Sequence, residues 1–126
     1  MIGADSSSII AFFVGEESAD TKAIKHAIES SELILPPIVV TELLSDPVIS
    51  AKAELFILGL PVLEIHEGFW QRAAKTRRLL LGRRLKARLA DAFIAQSCID
   101  SHVPLITRDK DFRHYAKYCG LKLYHA

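Results

Sequence analysis

Met1-Ile2-Gly3-Ala4-Asp5-Ser6-Ser7-Ser8 opens the chain with a short apolar run that ends on a carboxylate and three hydroxyls. Such side chains accept hydrogen bonds from the unpaired N–H groups of a first helical turn. The stretch therefore predicts a strand passing directly into a helix that contains Ile9, Ile10, Phe12 and Phe13. Near the other end, the apolar run Val103-Pro104-Leu105-Ile106-Thr107 leads into Arg108-Asp109-Lys110-Asp111-Phe112, again a buried strand ending on charge. Between them, Ala19, Ala23, Ala27 and Ile28 recur at helical intervals and predict a helix over Glu17 to Ser30. Leu33-Ile34-Leu35 reads as a strand stopped by Pro36-Pro37, and Pro37 suits the first turn of a helix running through Val40, Leu43 and Leu44. Ser50 to Leu58 is a further helix, ended by Gly59, and Pro61-Val62-Leu63-Glu64-Ile65 a further strand. A long helical stretch after His66 breaks near Gly82, Leu89 to Ser101 is helical, and a last helix and the strand Leu121-Lys122-Leu123 close the chain. Short apolar strands alternating with helices predict an α/β fold, a three-layer α/β/α sandwich around a mainly parallel sheet of five strands.

With 126 residues, half of them hydrophobic and a quarter charged, the chain fits one domain over residues 1–126 and neither a disordered nor a fibrous protein. Cys98 and Cys119 are the only cysteines and form no C-x-x-C pair, which argues against a disulfide framework or a thiolate metal site. The five histidines have no close ligand spacing. No leader pattern or membrane-length apolar run stands out, so a cytoplasmic protein without a membrane partner is expected. The net charge of +1 hides an uneven distribution: eight of the sixteen Lys and Arg lie between Arg72 and Arg88, with no acidic residue among them. That segment is either a solvated helix face or a surface for phosphate or a protein partner, with Arg77, Arg78, Arg83, Arg84, Lys86 and Arg88 as the candidates. Phe69 and Trp70 read as core or interface residues rather than base-stacking platforms.

In an open α/β sheet, ligands bind beyond the carboxyl ends of the strands, where strand order reverses. Asp5 follows the first strand directly and Asp109 the penultimate one, so adjacency of these strands would put both carboxylates at one rim. Asp91, before Ala92-Phe93-Ile94-Ala95, and Glu42, within Ile38 to Leu44, are charges set in apolar sequence, where burial without a partner is costly. Each has an ordinary explanation as a cap, a first-turn helix charge, an exposed helix residue or a turn former. Together they offer only oxygen ligands, the type required by a hard cation such as Mg²⁺ or Mn²⁺. Such a cation can activate water and neutralise the oxygens of a phosphodiester.

Four segments in order, hydrophobic-Asp5-Ser6-Ser7, Pro37 to Leu44 with Glu42, Leu89-Ala90-Asp91-Ala92-Phe93-Ile94-Ala95 and Pro104 to Phe112, make the sequence resemble the PIN-domain family over nearly its whole length. It resembles particularly the toxin nucleases of VapBC-type toxin–antitoxin pairs. The resemblance implies a Mg²⁺- or Mn²⁺-dependent endoribonuclease acting on RNA, with acidic ligands at Asp5, Glu42, Asp91 and Asp109. The family often carries asparagine at the position of Asp109 and an acidic residue at that of Asp111, so either can supply the fourth carboxylate, with Asp109 favoured. Ser6, Ser7 and Thr107 match hydroxyl positions that support the acidic cluster. A homodimer and a cognate antitoxin are the partners it implies. The alternative is a PIN-like RNA- or protein-binding module without activity. A haloacid-dehalogenase-type phosphatase is excluded because the second aspartate it requires is Ser7 here.

Overall fold

The computed structural model describes residues 1–125. Strands β1 (Ile2–Ala4), β2 (Leu33–Ile34) and β3 (Leu105–Ile106) form one parallel sheet in the order β2-β1-β3. Among the described residues seven helices connect and follow them: α1 (Ser6–Phe13), α2 (Ala19–Glu29), α3 (Pro37–Leu44), α4 (Ala51–Leu58), α5 (Phe69–Gly82), α6 (Leu89–Ser101) and α7 (Phe112–Cys119). The chain leaves β1 towards one edge of the sheet and returns on the other side as β3, so strand order reverses between β1 and β3. Among the described residues no helix is long and apolar enough to cross a membrane.

The α/β reading holds, but the sheet has three strands among the described residues and not five. The two missing strands are reduced to single parallel bridges at the edges, Leu35 with Val62 and Leu105 with Leu123. Leu35 N–H donates to the Pro61 carbonyl and Leu63 N–H to the Leu35 carbonyl, after which Glu64 and Ile65 turn out to solvent. With β2 and β3 only two residues long, an outer strand finds one rung to pair with.

The core is built on Ala4, Leu33, Leu35, Leu105 and Ile106, all buried. Helix α6 has no single apolar stripe because it is enclosed: Ala92, Ile94, Ala95, Gln96, Ser97 and Cys98 are all buried, and α3, α5 and α7 pack against it. Its buried polar groups are satisfied. Gln96 accepts from Thr76 Oγ1 at 2.5 Å and donates to Asp100, which also receives both arms of the Arg72 guanidinium at 3.0 and 2.6 Å. This network fastens α5 to α6. As the sequence predicted, the long helix α5 ends at Gly82, and two residues later Arg84 takes the left-handed conformation at φ 61°.

Helix α6 reaches the sheet through Gly3, whose absent side chain makes room for Cys98. A Cβ there would lie 3.0 Å from Cys98 Sγ and 3.5 Å from the Pro104 carbonyl oxygen. Gly3→Ala is therefore expected to lower the unfolding free energy by about 1–3 kcal/mol through overpacking. Cys98→Ala in the same chain should recover part of that loss. Urea unfolding of the two single variants and the double variant checks this; strict additivity would mean that the contact does not limit the packing.

Candidate functional site

The register of β1 and β3 creates the site. Ala4 pairs with Ile106, so the next residues, Asp5 and Thr107, leave the sheet side by side, with Asp5 N–H donating to the Ile106 carbonyl. Thr107 Oγ1 donates to Asp5 Oδ2 at 2.5 Å and itself accepts from Asp109 N–H at 3.0 Å. Asp5 Oδ1 accepts from Ser7 Oγ at 2.8 Å and from Ser8 N–H at 3.2 Å, which makes Asp5 the N-cap of α1 as well. The capping role and membership of the cluster are thus the same geometry. Asp109 in turn accepts from Asp111 N–H at 2.9 Å.

Asp91, in the first turn of α6, completes the cluster. One carboxylate oxygen from each of Asp91, Asp109 and Asp111 lies within 4.8 Å of the others. Asp5 stands close enough to Asp109 and Asp91 for their charges to act on one another. Glu42 is outside this trio. Its carboxylate is exposed on α3 and is joined to the rim through Ser6 Oγ, which donates to it at 2.6 Å. Both candidates for the fourth carboxylate therefore face Asp91, and they differ in their ties: Asp111 is paired with Lys86 at 3.4 Å, whereas Asp109 adds repulsion at both Asp5 and Asp91.

The crowding leaves negative charge uncompensated. Burial, then repulsion from Asp109, Asp5 and Asp111, pushes the Asp91 carboxyl up to about 6 despite the nearby Arg88 cation. Burial also raises Asp5, against the hydrogen bonds from Thr107, Ser7 and Ser8. Oxygen donors at this spacing, short of positive charge, fit a small divalent cation.

Sequence reading missed the clamp that steadies this rim. Arg108, between Thr107 and Asp109, donates from Nε to Asp20 at 2.8 Å and from Nη1 to Glu16 at 2.6 Å. Asp20 also accepts from the hydroxyls of Ser8 and Ser18. The Arg108 hydrogen bond holds the Asp20 carboxyl well below the usual range. Asp20 in isolation reads as a first-turn helix charge, and its partner lies 88 residues away, so the only cue was an arginine inside the Thr107 to Asp111 segment.

The basic segment divides by contact. Arg77 Nε donates to the Ala87 carbonyl at 2.8 Å, Arg83 stacks over the Tyr118 ring at 4.2 Å, and Lys86 meets Asp111. Arg78, Arg84 and Arg88 are exposed. Phe69 is buried as expected, whereas Trp70 is 57% exposed, its ring edge-on to Phe69 and Phe93.

A family model of the PIN domain matches residues 4–118. No curated protein matches the sequence. Among solved structures the chain is similar to FitAcB from Neisseria gonorrhoeae, at a TM-score of 0.75 and 19% identity over 99% of this chain and 97% of that one. It is also similar to VapBC-5 from Mycobacterium tuberculosis, a member of the VapBC family of toxin-antitoxin systems, at a TM-score of 0.67 and 16% identity over 99% and 98%.

The raised carboxyls set a pH dependence for the cation-free fold. A carboxyl that ionises less readily when folded favours the fold in acid, and its contribution is lost as pH rises from the unfolded value near 4 to the folded value. For Asp91 that window ends at about 6. Asp91→Asn should therefore raise the Tm of the cation-free protein by a few degrees at pH 7, allowing for its partial exposure, and by almost nothing at pH 4. Thermal scans in excess chelator test this; an equal gain at both pH values would remove ionisation as the cause.

Proposed function

The chain belongs to the PIN domain family, and on that premise we propose that it is a Mg²⁺- or Mn²⁺-dependent endoribonuclease, the toxin of a toxin–antitoxin pair. PIN domains are in general nucleases. The observation that carries the reading is the cluster of Asp91, Asp109 and Asp111 beside Asp5, where burial and mutual repulsion raise the Asp91 carboxyl. Four carboxylates drawn together at the strand-order reversal repel one another, a cost that binding a divalent cation would remove.

Asp5, Asp91 and Asp109 are the proposed principal ligands, with Asp111 beside them and Glu42 reaching the rim through Ser6. A bound divalent cation supplies charge relief for the phosphodiester and an acidified water. The chain's own part is orientation. Thr107 fixes one Asp5 oxygen, Ser7 and the Ser8 N–H fix the other, and the Asp111 N–H fixes Asp109, so the carboxylates are aimed before substrate arrives. Arg78, Arg84 and Arg88 are the exposed cations suited to the RNA backbone. The cognate antitoxin and the homodimer rest on family membership and on the toxin-antitoxin description of VapBC-5.

The deciding experiment incubates purified protein with structured and unstructured RNAs in Mg²⁺, Mn²⁺ or excess chelator. Cleavage is expected only with cation. Asp5→Ala and Asp91→Asn should lower it by roughly a thousandfold or more, as loss of several kcal/mol of transition-state charge stabilisation implies. An Asp91→Asn protein that cleaves at the native rate would falsify the assignment. Absence of cleavage in every RNA, with cation still bound, would favour a binding module. Separately, replacing Arg84 and Arg88 by Ala should weaken RNA binding and reduce the salt slope of log K by about 2; an unchanged slope would place the backbone contacts elsewhere.

A further inference from the structure

Tyr115 lies on α7, one helical turn after Asp111. Its side chain is 0% exposed, with the ring packed on Phe112 at 5.8 Å between centroids. Among the described residues its hydroxyl is the one buried side-chain nitrogen or oxygen without a hydrogen-bond partner. Leaving such a donor unpaired costs about 1–3 kcal/mol, so a tyrosine that only filled the core would be better replaced by phenylalanine.

The groups that act on this hydroxyl through their charge are Asp91, Asp111 and Arg77, together with the Cys119 thiol. Arg77 Nε is taken up by the Ala87 carbonyl, and Asp111 is already paired with Lys86. Asp91 differs from both. Among the described residues its carboxylate accepts no hydrogen bond and makes no ion pair, whereas Asp5 and Asp109 each accept bonds from the chain. A buried donor lacking an acceptor is thus within electrostatic reach of a half-buried acceptor lacking a donor, on helices α7 and α6 that pack together.

We propose that Tyr115 is the positioning residue for Asp91: as the acidic cluster takes up a divalent cation, the Tyr115 hydroxyl donates to one Asp91 oxygen and turns the other towards the ion. The inference rests on the reading of the cluster as a cation site. Burial, then the Asp91 charge, holds the Tyr115 proton on above the usual phenol range, so the group stays a donor wherever the protein is folded. Such a bond would hold the Asp91 carboxylate as Thr107 holds that of Asp5, leaving its other oxygen for the ion.

Tyr115→Phe removes one oxygen and keeps the ring on Phe112. Mn²⁺ binding is measured by calorimetry at pH 7, alongside Tm in chelator, with Tyr118→Phe as a control. Tyr115→Phe should weaken Mn²⁺ binding about tenfold, the low end of the loss seen when a residue supporting a metal ligand is removed. Its cation-free Tm should be unchanged or higher, because the hydroxyl lost there had no partner. Tyr118→Phe should bind as the parent does. Undiminished Mn²⁺ affinity in Tyr115→Phe, whether or not its Tm falls, overturns the proposal and leaves the hydroxyl a core feature. A parent protein that binds no Mn²⁺ overturns the cation-site reading and this inference together.

Discussion

Parallel pairing of β1 with β3 is the constraint on which the rest of the structure depends. The register that sets Ala4 against Ile106 brings Asp5 beside Thr107, and the hydrogen bond from that hydroxyl joins two segments 102 residues apart. The same hydroxyl accepts the Asp109 N–H, so one threonine aligns two carboxylates from different strands. A slip by one residue would turn Thr107 to the other face of the sheet and separate them. Gly3 supports this packing from below, because a Cβ there would crowd Cys98 Sγ at 3.0 Å.

The rim so formed is electrostatically unfavourable by itself, and the surrounding structure offsets this locally. Helix α1 presents its first-turn N–H to Asp5, and the basic linker before α6 brings Arg88 towards Asp91 and Lys86 to Asp111. Arg108 works at the periphery, tying the end of β3 to Glu16 and Asp20 and so to the start of α2. Its ion pairs are partly exposed and add little stability individually. Their geometric effect is larger, since the two-pronged contact with Asp20 fixes the backbone between Thr107 and Asp109. Asp20, lowered by the Arg108 hydrogen bond, and Asp91, raised by burial and then by its carboxylate neighbours, show how the same side chain is tuned in opposite directions by its surroundings.

Much of this was legible in the chain. Helix α6 falls on Leu89–Ser101 as its apolar run predicted, Asp5 caps α1, and Pro37 opens α3. These are local signals carried by residues within one or two turns of each other. The edge strands were overread because an apolar run such as Pro61 to Ile65 looks like a buried strand although only its Leu63 is buried, while strand length is set by a neighbour far away in sequence. That neighbour, β2, is two residues long. The break near Gly82, by contrast, is a local signal and holds: α5 ends at Gly82, although the left-handed turn that follows is taken by Arg84. Three of the site carboxylates stood out as charges in apolar sequence or at strand ends. Arg108 and Tyr115 did not, because the role of each depends on groups that only folding brings near.

The basic segment looks different beside the acidic rim than it does along the sequence. As a run of charge it suggested one uniform surface, yet its members do distinct work. Arg77 holds the turn before α6 through the Ala87 carbonyl, Arg83 covers Tyr118, and Lys86 neutralises Asp111. The linker from α5 to α6 thus interleaves cations with the carboxylates it borders. On the nuclease reading this arrangement has a physical logic. A phosphodiester would be drawn towards the exposed arginines, and a cation held by the carboxylates would offset the repulsion it otherwise meets at Asp91. Attraction at long range and tolerance at short range come from neighbouring residues on one helix start, where Arg88 and Asp91 are one turn apart.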